Sequence, residues 1–330
     1  MTYTTLAEEY RAGVLENAHQ GLICIVDEKK NVVYSKGDTG EPILYRSAMK
    51  PLQAIPVFTS NVIRNYQLTT KEMALFTASQ RGETYQQKSL ESLITKLDLL
   101  EETLICGKSY PLNEVPKINH ICNNMPKRKL LHNCAGKHLG FLAYCREHGY
   151  PLSSYGKIEH PLQQRILQDV AELAEISKEK IVTAVDGCGV PVHAVPIKNM
   201  AISYLKFAVP DLINDITTAN AVVNITNTMN AHPEIVASHN FICTTLLKDN
   251  NIVAKGGAQG VYCLALKEEK LSIAIKVLSG TELLWPLLVA RALEKIGYKN
   301  QETIDNLLLI RSKDILNDDG DIVGETKILF

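Results

Sequence analysis

Tyr45-Arg46-Ser47-Ala48-Met49-Lys50-Pro51-Leu52-Gln53 puts a serine and a lysine three positions apart where a helix begins. Residues at i and i+3 share one helix face, so the spacing lets Lys50 reach the Ser47 hydroxyl. A serine alone is a weak nucleophile, and a neutral amine beside it can take its proton. Lysine serves as that base only if burial or nearby positive charge lowers its pKa, and Arg46 is the sequence-adjacent cation. Pro51 suits an early helix turn, where its missing N–H costs little. Ser47 would then sit beside the helix N-terminus, whose dipole favours a developing alkoxide. The same pattern is met by a capping serine followed by a solvated lysine, so the choice between them rests on the rest of the chain.

The chain has 330 residues, 45% of them hydrophobic and 22% charged, with a net charge of -1. This is the composition of a soluble globular protein, and we expect one domain over 1–330, with two intimate subregions allowed. Near-zero charge gives no reason to expect nucleic acid or an anionic membrane as partner. The most apolar runs, 21–26 and 283–292, are far shorter than a membrane span. The N-terminus lacks the basic and apolar parts of a signal peptide, which points to the cytoplasm. The eight cysteines are then expected to be reduced, and no C-x-x-C pair suggests a zinc ribbon.

Residues 21–27 and 32–35 read as a hairpin that delivers the chain to the Ser47 stretch. Helices are expected over 71–79 and 84–97, then an irregular excursion over 106–128 marked by prolines and asparagines. A helix opening near His132 and running to 147 puts Cys134 and Lys137 on one face. Asp186-Gly187-Cys188-Gly189 forms a turn between two β-like segments. Helices over 211–229 and 233–248 precede a strand pair, 251–266 with 271–277, covered by a helix over 281–296. Strands thus cluster at both chain ends with helices between. That pattern favours an α+β fold, an antiparallel sheet assembled from the two ends and flanked by helices, with a largely helical middle. No G-x-G-x-x-G or P-loop follows a strand.

Several short motifs occur in order: Arg46-Ser47-Ala-Met-Lys50-Pro51, His132-Asn-Cys134-Ala-Gly136-Lys137-His138, Asp186-Gly-Cys188-Gly-Val-Pro191, Ala231-His-Pro233-Glu and Lys255-Gly-Gly-Ala-Gln-Gly260-Val-Tyr262. Together they resemble the class 3 L-asparaginases, the Rhizobium-type or asparaginase II family, over essentially the whole chain. The resemblance implies a serine β-lactamase/glutaminase-like fold and a homodimer that hydrolyses L-asparagine to L-aspartate and ammonia. It puts the nucleophile on Ser47, its base on Lys50 and a second serine–lysine pair on Ser79 and Lys255. It implies zinc held by Cys134, Lys137 and Cys188 with water completing the site, and substrate contacts at Arg46, His138 and Asp186. Two thiolates and a neutral amine are workable zinc ligands, although lysine is rare in that role, and buried cysteines are also ordinary core residues. With Ser47 as nucleophile, we expect zinc to shape the pocket rather than to deliver hydroxide.

The chain departs from the family pattern at several places. Ala135 stands where serine is usual, and Gln80-Arg81 replaces a histidine-led pair. Ser238, Phe241 and Cys243 occupy the positions of a usual glycine, arginine and aspartate, and Gln259 that of a glutamate. Losing charges from a pocket changes what it accepts. Arg81, His239 and Gln259 stand as open guesses for substrate contacts. The alternatives kept are hydrolysis of a related amide such as glutamine, and a non-catalytic amino-acid- or zinc-binding relative. A penicillin-recognising protein shares the S-x-x-K logic, but no convincing S-D-N or K-T-G element occurs in the right order.

Overall fold

The computed structural model describes residues 2–330. The chain forms two compact units. The first takes the chain through Ala48, the segment Val195–Ala208 and everything from Asn240 onward. The second takes Met49–Ala194 and Val209–His239.

In chain order the strands are β1 (Thr4–Arg11), β2 (Val14–Val26), β3 (Val32–Lys36), β4 (Pro42–Leu44), β5 (Val182–Val185) and β6 (Pro191–Pro196), then β7 (Ile252–Gly257), β8 (Val261–Leu266), β9 (Leu271–Val277), β10 (Asp314–Leu316) and β11 (Ile322–Ile328). The first unit is built on an antiparallel sheet of order β10-β11-β1-β2-β9-β8-β7, with β3 paired to β2 beside that path. As the sequence implies, its strands come from both ends of the chain. Gly21 stands opposite Val277 and Val26 opposite Ser272 across β2 and β9, while Gly256 stands opposite Tyr262 across β7 and β8. Every residue of β7 and β8 is buried, which a strand achieves only with cover on both faces. The helix Ile197–Ala208 provides one cover, and the Ser272 hydroxyl donates to its Ala201 carbonyl at 2.6 Å.

The second unit is helical. Its core element is the helix Lys50–Thr59, every residue of which is buried except Thr59. The helices Ala135–Glu147, Pro161–Ala174 and Ile216–Ala231 pack on it. Pro51 occupies its first turn, as expected. A short hairpin, β5 with the first residues of β6, sets Val185 opposite Pro191 and so presents the turn at 186–190. The fold is α+β, an antiparallel sheet flanked by helices plus a helical region. Among the described residues no helix is long and apolar enough to cross a membrane.

Several expected elements differ in detail. The hairpin at the start is longer than read: β1 and the first half of β2 precede it, joined by Ala12 and Gly13 at positive φ. Their residues are mostly polar or exposed, so no buried alternation announces them. The irregular stretch contains the helix Glu114–Cys122, because Pro116 falls in its first turn, where no N–H is needed. The single helix expected over 233–248 is two, Pro233–Ala237 and Ile242–Leu247, broken where Ser238 (φ 83°) and Asn240 (φ 57°) leave helical space. The strand expected over 251–266 is β7 and β8, split by a turn in which Gln259 and Gly260 take positive φ. The helix at 71–79 is a short helix, Thr70–Ala74, passing into a 3-10 turn, Leu75–Thr77. The expected helix over 281–296 runs Trp285–Lys295, and a further helix, Gln301–Ile310, follows it.

Candidate active site

In the first unit Ser47 lies in a 3-10 turn, Arg46–Met49, that runs directly into the helix starting at Lys50. Arg46 adopts φ 49°, a left-handed conformation that a non-glycine residue holds only when its surroundings enforce it. Two buried tyrosines do so. Tyr45 Oη lies 2.8 Å from Ser203 Oγ, and Tyr204 Oη donates to the Ala48 carbonyl at 2.6 Å. The turn rests on β7. A Cβ added at Gly257 would lie 2.4 Å from Tyr45 O and 3.1 Å from Ala48 N, so only glycine permits this approach. Side chains alternate along a strand, so Lys255 emerges on the same face of β7 as that contact. Lys255 is 1% exposed and its Nζ donates to Gly256 O at 2.9 Å. The structure thus sets Arg46, Ser47 and Lys255 in one neighbourhood of the first unit.

In the second unit Lys50 is fully buried. Its Nζ has three oxygens in reach: Ala78 O at 2.6 Å, Ser79 Oγ at 3.0 Å and Asn133 O at 3.2 Å. Burial pushes its pKa below the usual lysine range. Among the charges around it, Lys137 pushes the same way while Cys134 and Cys188 oppose. The cation named by the structure is therefore Lys137, where the sequence offered Arg46. Ser79 is fixed by its own N–H on Val236 O at 2.8 Å. The next residue, Gln80, donates to the carbonyls of Leu131 at 2.7 Å and His132 at 2.9 Å, and accepts from Gly82 N. It ties the Ser79 loop to the segment entering Cys134, a role that a buried amide gives no sequence signal for.

Cys134 immediately precedes the helix Ala135–Glu147, and Lys137 sits on that helix's first turn. Ligand atoms of Cys134, Asp186 and Cys188 all lie within 4.8 Å of one another. Lys137 Nζ is 3.2 Å from Cys188 Sγ, and Cys188 Sγ is 3.6 Å from Asp186 Oδ2. The two thiols titrate as a pair. Their mutual hydrogen bond, with Lys50 and Lys137 adding to it, holds Cys134 well below the usual thiol range. The same bond, then burial, pushes Cys188 up. Burial works against the Lys137 charge, but Cys188, Cys134 and Asp186 outweigh it and hold the ammonium above its ordinary range. Two buried sulfurs, a half-buried carboxylate and the Lys137 nitrogen, once deprotonated, make a donor set that fits zinc. The sequence reading assigned Asp186 to substrate, and the geometry also brings its carboxylate within 4.8 Å of the Cys134 and Cys188 sulfurs.

His138 is fully buried. Its Nδ1 lies 2.7 Å from Tyr155 Oη, which also accepts Ile105 N–H at 2.9 Å, and its Nε2 has no partner. Burial, then Lys137, holds its pKa well below the usual value, so the ring is neutral. Tyr155 is a site neighbour that sequence reasoning missed, lying 17 residues beyond His138 with no motif around it. Of the three open guesses, Arg81 Nε donates to Asn113 Oδ1 at 2.5 Å and so braces its loop. His239 is exposed and meets Tyr85 Oη at 3.0 Å. Gln259 is an exposed residue of the β7–β8 turn, its carbonyl accepting from Lys276.

Among solved structures the chain is similar to a β-lactamase from Mycobacterium bovis (11% identity, TM-score 0.42, covering 83% of this chain and 94% of that one). A putative β-lactamase from Bacteroides dorei gives 12% identity and TM-score 0.41 over 84% of this chain and 93% of that one. A Bacillus glutaminase gives 13% and 0.39 over 84% and 91%. Likeness at this level says nothing about chemistry. No match was found among functionally curated proteins. A sequence model described as L-asparaginase II matches residues 7–328. With that match spanning nearly every residue, the chain belongs to the L-asparaginase II family.

Proposed function

We propose that the protein is an amidohydrolase that converts L-asparagine to L-aspartate and ammonia, with Ser47 as nucleophile and Lys50 as its base. Family membership supports amide hydrolysis. The observation that carries the assignment of the base is Lys50 itself, a fully buried lysine with a lowered pKa, one 3-10 turn after Ser47. In this reading Ser47 Oγ attacks the side-chain amide carbon and Lys50 takes its proton. The oxyanion meets backbone N–H groups near the Ser47 turn, where Gly257 allows β7 to approach. The leaving nitrogen departs as ammonia after receiving a proton. Water then hydrolyses the acyl-enzyme, with Ser79 and Lys255 moving protons. Arg46, His138 and Asp186 contact or orient the substrate. The protein acts as a cytoplasmic homodimer and as one functional domain.

Zinc would be held by Cys134, Lys137 and Cys188, with Asp186 in reach. When bound it supplies a fixed charge that organises the pocket. Metal uptake would displace the protons now on Cys188 and Lys137.

The test is ammonia release from L-asparagine, D-asparagine, L-glutamine and β-aspartyl amides, wild type beside Ser47→Ala. Release from L-asparagine that disappears in a folded variant supports the assignment. Turnover retained in Ser47→Ala would sink the role of Ser47. Glutamine as the better substrate would move the specificity to a related amide, and binding of asparagine without release would make the protein a non-catalytic relative.

A further inference from the structure

β7 is an edge strand, with β8 on one side only. Its outward N–H groups are buried and need partners from outside the sheet. At Gly256 the partner is a sulfur. Cys243, in the helix Ile242–Leu247, places Sγ 3.2 Å from Gly256 N and accepts its hydrogen. Tyr262 Oη donates to the same sulfur at 3.4 Å. Cys243 and Tyr262 are both fully buried. Burial, then Cys243, holds the Tyr262 phenol well above its usual range, so it stays protonated and donates.

The segment is gripped on its faces as well. A Cβ at Gly256 would lie 3.0 Å from the Trp285 ring, and that ring sits 5.1 Å from Tyr262. On the opposite face Gly257 meets the Ser47 turn. Cys243 supplies the third constraint, along the strand edge.

We propose that Cys243 is a positioning residue for amide hydrolysis. Its sulfur stands in for the absent neighbouring strand and fixes Lys255–Gly257 against the turn that carries Ser47. This rests on the reading that Ser47 and Lys255 act in the reaction. What position 243 requires is an acceptor for two hydrogens, which a thiol, a hydroxyl or a carboxylate each provide.

The experiment compares Cys243→Ala with Cys243→Ser for steady-state ammonia release, thermal midpoint and amide hydrogen exchange at Gly256. In the folded alanine variant kcat should fall by about 10- to 100-fold with KM little changed, because a displaced catalytic segment loses rate rather than affinity. Gly256 exchange should accelerate, and serine should restore most of kcat. Equal losses in the alanine and serine variants would show that volume alone matters and would overturn the proposal, as would wild-type exchange at Gly256 in Cys243→Ala. Should the alanine variant not fold, Cys243→Ser carries the test: it must retain kcat within about tenfold and keep Gly256 protected. If the wild type hydrolyses no amide, the functional reading is what fails, and Gly256 exchange still decides the role of the sulfur.

Discussion

Lys50 Nζ lies 3.0 Å from Ser79 Oγ, so the lysine of the first serine–lysine pattern is held against the serine of the second. The other two oxygens on Nζ are carbonyls, which only accept. An ammonium donates to all three. A neutral amine has two hydrogens for the carbonyls and a lone pair left for the Ser79 hydroxyl to donate to. Among these three oxygens Ser79 Oγ is the one that can reverse its bond when Lys50 changes protonation state. Ser79→Ala should lower kcat by about a hundredfold while leaving the fold intact, because a relay partner of the base is lost. Steady-state kinetics beside a thermal melt checks this, and wild-type kcat would remove Ser79 from the mechanism.

The cysteine cluster predicts metal stoichiometry. Wild type should bind one zinc per chain, and Cys134→Ser or Cys188→Ser should lose it. Uptake at neutral pH should release about two protons per zinc, from the Cys188 thiol and the Lys137 ammonium. Metal analysis and a pH-indicator titration read the two quantities. Release of one proton, with zinc retained in Lys137→Met, would shift the third ligand from Lys137 to Asp186.

Gly136 is a tight point of packing beside the cysteine cluster. A Cβ there would lie 2.3 Å from the backbone oxygen of Leu75, just before the Ser79 loop. Gly136→Ala must push the helix Ala135–Glu147 away from that segment, at a cost of about 1–3 kcal/mol. Urea denaturation should show the loss, and zinc affinity and kcat should fall with it, since Lys137 rides on the same helix turn.

Asp169 predicts a pH dependence of stability. It is 1% exposed, with Oδ1 2.8 Å from Arg165 Nε and Oδ2 without a partner. Burial raises its pKa from 3.8 to about 7, against the pull of Arg165 and with the help of Glu172 and Asp215. The folded state holds this proton more tightly than the unfolded state. Its stabilising contribution is therefore complete below pH 3.8 and is lost as pH rises through about 7. Asp169→Asn should remove that loss, gaining on the order of 2–4 kcal/mol over wild type at pH 8 and little at pH 4. Denaturant titrations of both proteins across that range check it, and a difference that does not change with pH rules it out.

The sequence carried the strand-rich ends, the helical middle and the local elements that bear Lys50, Cys134, Lys137, Cys188 and Lys255, because these are written in periodicity, glycine and cysteine spacing; Ser79, read as a helix end, lies in a loop. Three kinds of information were not local. The pairing of Lys50 with Ser79 depends on a 29-residue excursion returning. The Tyr45–Ser203 and Tyr204–Ala48 clamps join segments more than 150 residues apart. The breaks at Ser238 and Gln259 are left-handed conformations at residues other than glycine, which composition does not flag. Ser238 stands at φ 83° and ψ 161°, a region where glycine is the usual occupant.

The order of strands in the sheet also sets the order in which the protein can be made. β1 is flanked by β2 and by β11, which follows every other strand of this sheet in the chain. Until β11 is made β1 therefore waits with an unsatisfied edge, and closure of the sheet depends on contacts of long sequence separation, the slow kind to form. Glu8, Glu9 and Arg11 line that waiting strand. In the finished sheet Glu9 receives Arg311 at 2.8 Å. Before that, the same charges discourage another nascent chain from pairing with the open edge.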